Sequence, residues 1–158
     1  MNREVIEAYA NGPSLLAQLV SDLSADELRR HPPAELNIGR WSIHEVLIHL
    51  ADAEAVLADR MKRVIAEETP TLLAFDEGKW ATRLEYQRQS AEDAWMMINL
   101  VRRQMSRVLW ALPEAAFERF GTHSEAGKKT LADLVGGAQK HLLHHAGFIE
   151  KKRKWIGR

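Results

Sequence analysis

Apolar side chains recur three and four positions apart through four long stretches of this chain, and no stretch shows the every-second-residue alternation of a half-buried strand. That pattern restricts the fold to helices that each bury one stripe. The first stretch, about 3–23, carries Ile6, Leu15, Leu16, Leu19, Val20 and Leu23, and Gly12-Pro13 inside it predicts a kink or restart. A short turn at 24–30 follows, with Ser24 three residues ahead of Glu27 in a capping-box pattern and His31-Pro32-Pro33 ending it. The second helix starts after Ser42, with Glu45 three residues on. It runs through Ile43, Val46, Leu47, Leu50, Ala53, Leu57, Met61 and Val64 toward Pro70. The third is expected over about 82–112, stopped by Pro113, and the last over about 131–155 behind the cap candidate Thr130.

The loop 69–80 sets Pro70, Asp76 and Gly78 among Leu72, Leu73, Phe75 and Trp80, which predicts a packed loop able to act as a lid. A second connector, 114–129, joins the third helix to the last. Together these elements predict an all-α fold, an up-and-down four-helix bundle with two longer connectors, in one domain spanning 1–158. Facing side chains in such a bundle are a usual place for metal sites.

Composition limits what the bundle can do. Twenty-two Lys plus Arg balance twenty-two Asp plus Glu, so no global field draws the chain to nucleic acid or to an anionic membrane. No apolar run is long enough to span a bilayer, and Met1-Asn2-Arg3-Glu4 has neither a basic segment nor an apolar signal core, so the expected location is cytoplasmic. The run Lys151-Lys152-Arg153-Lys154 reads as a solvated helix end that complements the helix dipole. With no cysteine there is no disulfide, thiolate metal site or cysteine nucleophile, which leaves histidines, carboxylates, hydroxyls or a bound cofactor.

His141 and His145 stand four apart on the stripe of Leu131, Leu134, Val135, Ala138, Leu142, Phe148 and Ile149. Positions so spaced lie ~40° apart around a helix, so both imidazoles can aim at one point between helices. His144 falls on the other flank, toward the bundle edge. A third ligand must come from another helix, and the second helix offers His44 and His49, ~140° apart, of which only one can serve. His49 sits at the edge of the apolar face, whereas His44 is expected in the first turn near solvent. One histidine at an apolar edge is usually a hydrogen-bonded packing residue, but three facing inward from two helices favour a metal site. Three imidazoles suit zinc, nickel, iron or copper alike.

Other architectures fail on spacing. His44-Glu45 is followed by His49 one residue too late for H-E-x-x-H, and no histidine has a glutamate three residues before it, as a di-iron carboxylate bundle requires. Neither G-x-G-x-x-G, the P-loop motif nor G-x-S-x-G occurs.

Three parts of the chain carry a resemblance: Gly39-Arg40-Trp41-Ser42-Ile43-His44-Glu45-Val46-Leu47-Ile48-His49-Leu50-Ala51-Asp52-Ala53-Glu54, the pair His141-x-x-x-His145, and Leu73-Ala74-Phe75-Asp76-Glu77-Gly78-Lys79-Trp80. Over nearly its whole length the chain resembles the DinB-like superfamily, metal-binding four-helix bundles that include YfiT-type proteins and bacterial thiol S-transferases. It departs from many members at Phe148, where they have glutamine after the glycine. The resemblance implies a divalent metal, zinc or nickel before iron, on His49, His141 and His145. It also implies a metal-dependent thiol S-transferase or related hydrolase, in which a thiol or water takes the open position. Without cysteine, the thiol would be a small cosubstrate such as bacillithiol, mycothiol or glutathione. A homodimer is implied as well.

Around that centre, Glu45, Asp52 and Glu54 are candidates to orient imidazoles, and Trp41 and Arg60 are candidates for substrate contact. The competing expectation is a non-catalytic dimeric binding or stress-response module with a structural or absent metal. A fourth protein ligand would favour it; an open position beside a cleft would favour the enzyme.

Overall fold

The computed structural model describes residues 3–158; Met1 and Asn2, part of the start inspected for a signal core, lie outside the described residues. In chain order the helices are α1 (Arg3–Val20), α2 (Ala25–Arg29), α3 (Ile43–Ala66), α4 (Glu77–Arg83), α5 (Ala91–Ala111) and α6 (Leu131–Ile156). Side-chain caps fix where they begin. Ser24, Ser42 and Thr130 each accept from the backbone N–H three residues on, and Glu27, Glu45 and Asp133 return the bond to the cap, closing three capping boxes. No helix of the described residues is long and apolar enough to cross a membrane.

The four long helices form the all-α bundle that the periodicity predicts. α1 and α3 each pack against α5 and α6. One end of the core joins Ile6 and Tyr9 to Met61, Val64, Met105, Leu109, Leu131 and Val135, and the other joins Leu16 to Ile43, Val46, Ala94, Ile98, Leu142 and Ile149. The starts of α1 and α6 therefore share an end with the finishes of α3 and α5, and the helix directions run up, down, down, up. Where strict alternation is the expectation, the neighbours α3 and α5 instead lie parallel. Parallel neighbours need a connection that returns the length of the bundle, ~30 Å for a helix such as α5. The segment 67–90 makes that return, and it passes over the site described below.

Local chemistry also changes three of the sequence expectations. The third long helix begins at Ala91 rather than near 82, because Ser90 caps it and Glu85 sits in the left-handed region at φ 49°, breaking the chain after α4. Short strands β1 (Thr71–Leu72), β2 (Phe120–His123) and β3 (Gly127–Thr130) form where the sequence shows none, β1 parallel to β2 and β2 antiparallel to β3. They are too short for a periodicity and are held by backbone pairing. Gly12-Pro13 does not interrupt α1. Gly12 instead makes room, because a Cβ there would lie 2.3 Å from Arg102 Nη1.

Arg102 organises the middle of the bundle. Its guanidinium, 1% exposed, donates to Glu54 Oε2 at 2.7 Å and to the carbonyls of Tyr9 and Ala138 at 3.0 Å, while Tyr9 donates to Glu54 Oε1 at 2.5 Å. A buried ion pair is tolerated only when its remaining groups are satisfied in this way. The basic run at the C-terminus is likewise more than a solvated end. Lys152 is buried and donates to Ile38 O, and Arg153 forks onto both carboxylate oxygens of Asp22. These contacts pin the connector 21–42 to α6, which sets Trp41 where it is.

Candidate metal centre

His49 lies in the second turn of α3, whose start is fixed by the Ser42–Glu45 box, and His141 and His145 lie one turn apart in α6, whose rotation is fixed by buried Leu134, Val135, Ala138, Leu142 and Ile149. The two helices are antiparallel neighbours, and the three rings meet between them. Ring centroids are 5.1 Å apart for His49–His141, 4.6 Å for His49–His145 and 4.6 Å for His141–His145. His49 Nε2 and His141 Nε2 approach to 3.1 Å, and one nitrogen from each of the three rings lies within 4.8 Å of the others.

Burial sets the protonation state. Removal from water pulls His49 and His141 down to about 4, helped for His49 by the charge that His141 would carry and for His141 by His144 and Arg102. The same desolvation, then its three histidine neighbours, pulls His145 to about 3. At neutral pH the rings are neutral, which is the form that ligates a metal. His49 Nδ1 and His145 Nδ1 are buried with no hydrogen-bond partner. Three convergent neutral imidazoles, two with orphaned buried nitrogens, form a donor set that fits a divalent transition metal with a position left open.

The carboxylates expected to orient these rings are engaged elsewhere. Glu45 accepts from Ser42 in its own cap, Asp52 Oδ2 accepts from the Tyr86 hydroxyl at 2.7 Å, and Glu54 holds Arg102. Among the described residues no hydrogen bond joins Glu45, Asp52 or Glu54 to the triad, so their expected role is corrected to capping, tethering and core pairing respectively. His44 is corrected too: it is buried, 2% exposed, with its Nε2 3.1 Å from Tyr86 O, and so fastens the turn Tyr86–Arg88 to α3.

The carboxylate that does approach is Glu77, at the start of α4, with Oε2 4.0 Å from His49 Nε2 and its side chain half exposed. Burial and the adjacent Asp76 raise its pKa. The sequence reading leaves Asp76 and Glu77 in a loop; Asp76 in fact caps α4, and nothing in the sequence says that α4 lies over α3. Trp41 packs on the triad, its ring 4.8 Å from that of His49 and stacked 6.4 Å from that of His145. His144 is exposed, with its ring 5.3 Å from His145 and 4.9 Å from Phe148, at the rim. Arg60 lies farther along α3, donating to Leu73 O in a groove between α3 and the segment 71–75.

With this geometry in place, the comparisons with known proteins are decisive for kinship. The model of the DinB superfamily matches residues 8–149. The chain belongs to the DinB superfamily. It is 28% identical over 155 residues to a "putative metal-dependent hydrolase" of Oceanobacillus iheyensis, covering 96% of this chain and 87% of that one. A protein of the same description from Bacillus mycoides is 26% identical over 149 residues, covering 94% and 83%. Among solved structures, YfiT from Bacillus subtilis, described as a probable metal-dependent hydrolase with an unusual four-helix bundle topology, superposes with a TM-score of 0.89 at 22% identity, covering 98% of this chain and 87% of that one. That likeness shows the shared fold of this DinB-superfamily bundle.

Proposed function

We propose that this DinB-superfamily protein is a divalent-metal-dependent hydrolase whose ion is held by His49, His141 and His145. The observation that carries the reading is the convergence of three neutral imidazoles with nitrogens within 4.8 Å of one another, two of the rings presenting buried nitrogens without partners. The names of its Oceanobacillus and Bacillus relatives support the same reaction class. A divalent ion on such a site supplies Lewis acidity, lowering the pKa of a bound nucleophile and polarising a substrate oxygen.

The remaining work falls to the protein's own groups. Glu77 faces His49 while half exposed, so it can take a proton from the nucleophile and pass it to solvent. Its raised pKa brings it nearer to the range in which a carboxylate both accepts and returns a proton. Trp41 shields His49 and His145 from water and fixes their ring planes.

A small thiol in place of water is the second reading, favoured by the donor set itself. Three neutral imidazoles would leave the positive charge of a bound ion uncompensated, the condition under which it would acidify a thiol as readily as water. With no cysteine in the chain, that thiol would be a cosubstrate. The test is elemental analysis of the purified protein beside H49A, H141A and H145A, with ester, amide and thiol-transfer assays in parallel. One equivalent of metal in the parent, lost in each variant together with turnover, is the expected result. Full metal content in all three variants overturns the assignment. Turnover that requires a low-molecular-weight thiol selects the second reading.

A further inference from the structure

A groove of about 620 Å³ runs between α3 and the segment 71–75, with Trp80 at its side. Its walls are largely apolar, built from Val56, Leu72, Phe75 and Trp80, and the rings of Phe75 and Trp80 pack 4.7 Å apart. Its charged residues are Asp59, Arg60 and Arg63, and of the two cations Arg60 is the buried one. Arg60 is nine-tenths buried, donates one Nη to Leu73 O, leaves Nε buried with no partner and, among the described residues, makes no direct ion pair with a carboxylate. Asp59, which also lines the groove, acts on Arg60 only through space and is held by Arg63 at 3.0 Å. Burying a guanidinium with one carbonyl partner and no paired carboxylate is costly, and an anion arriving in the groove would relieve that cost.

The groove lies in line with the candidate metal centre. Arg60 is eleven residues after His49 on α3, which returns it to within ~20° of the same face about 16 Å along the axis. Helical side chains lean toward the N-terminus, so Arg60 leans back toward the triad. α4 joins the two regions from the other side, with Glu77 at His49 and Trp80 in the groove.

We infer that the substrate is a small organic monoanion with an apolar body: its carboxylate pairs with Arg60, and its body lies along Val56, Phe75 and Trp80 toward the histidine triad. A monoanion is favoured over a phosphate because Arg63, the other cation lining the groove, is exposed and already holds Asp59 and Glu67, so the one buried cation, Arg60, balances one negative charge and leaves a second desolvated. This substrate class rests on the hydrolase reading for its placement, while binding in the groove does not require the metal.

The experiment is calorimetric titration with three probes sharing one apolar body: 4-phenylbutyrate, 4-phenylbutanamide and 4-phenylbutyl phosphate. The wild-type protein should bind the acid at least about tenfold more tightly than the amide, the worth of one charge-assisted contact. R60M should bring acid and amide to equal affinity, V56W should weaken both by filling the groove, and H141A should keep the preference for the acid. Equal binding of acid and amide by the wild type overturns the inference, and so does no saturable binding of the acid at millimolar concentration. That comparison needs no variant to fold. A preference that survives in folded R60M also overturns it, and tighter binding of the phosphate overturns the monoanion assignment. Because metal content is measured separately, a wild type that prefers the acid but holds no metal contradicts the hydrolase reading and supports the groove.

Discussion

Glu77 stands 4.0 Å from His49 Nε2 with half of its side chain in solvent, a position from which a carboxylate can move protons without displacing a ligand. E77Q keeps the shape and removes the base. The expected outcome is a fall in kcat of roughly 10²- to 10⁴-fold with metal content unchanged, measured by steady-state kinetics beside elemental analysis. Loss of the metal in E77Q would instead make Glu77 a ligand. Residue by residue, the sequence revealed side chains whose position follows from their own helix. His141 and His145 sit on a stripe that has to face inward, and His49 sits at the edge of another. Glu77 was hidden because its neighbour, His49, is twenty-eight positions away and the fold of segment 67–90 alone brings them together. Glu45 and Asp52 were misread for the complementary reason: both stand one turn from His49, but Ser42 and Tyr86 claim their oxygens first.

At the scale of elements, the direction in which His49 points depends on how α3 begins. Ser42 accepts from Glu45 N and returns a hydroxyl contact to Glu45, and Gln87 Nε2 donates to Ser42 Oγ at 3.0 Å, tying the cap to the turn Tyr86–Arg88. S42A removes the cap acceptor and that tie. It should lower the stability to urea by about 1 kcal/mol, with a measurable weakening of metal retention in competition with a chelator. Unchanged stability would show that the cap is redundant. The long helices were legible because each carries several turns of apolar period between recognisable caps. The boundary at Ser90 was obscured because apolar residues at 80, 81 and 84 continue a helical spacing across a break made by the backbone at Glu85. β2 and β3 left no trace for a different reason: four-residue strands with partly exposed faces are set by pairing partners rather than by pattern.

For the whole molecule, three neutral imidazoles, His49 and His145 buried and His141 partly so, couple stability to pH. Their folded values, about 4 for His49 and His141 and about 3 for His145, lie below the ~6.5 of an unfolded histidine. Between those values the unfolded chain takes up protons that the folded chain refuses. Stability is therefore fully present above pH ~6.5 and is lost as the pH falls through the folded values. Melting temperatures of metal-free protein from pH 7.5 to 4 should decline through this window, and the triple variant H49Q/H141Q/H145Q should show a shallower decline. An equal slope in both would place the histidines in solvent. The directions of the helices, up, down, down, up, could not be read from periodicity, which is blind to which neighbour a stripe faces. That arrangement sends 67–90 back along α3, so the same segment supplies Glu77 to the triad and Phe75 and Trp80 to the Arg60 groove.

The central claim is that one divalent ion sits on three imidazoles donated by α3 and α6. X-ray absorption at the edge of the metal that copurifies with the protein reads the ligands directly. Three imidazole scatterers at the ordinary nitrogen distance, about 2.0–2.1 Å for zinc, plus a light atom in the open position, are expected, and two imidazoles in H141A if any metal remains. A metal site with fewer than three imidazoles in the parent protein, or an unaltered spectrum in H141A, would contradict it.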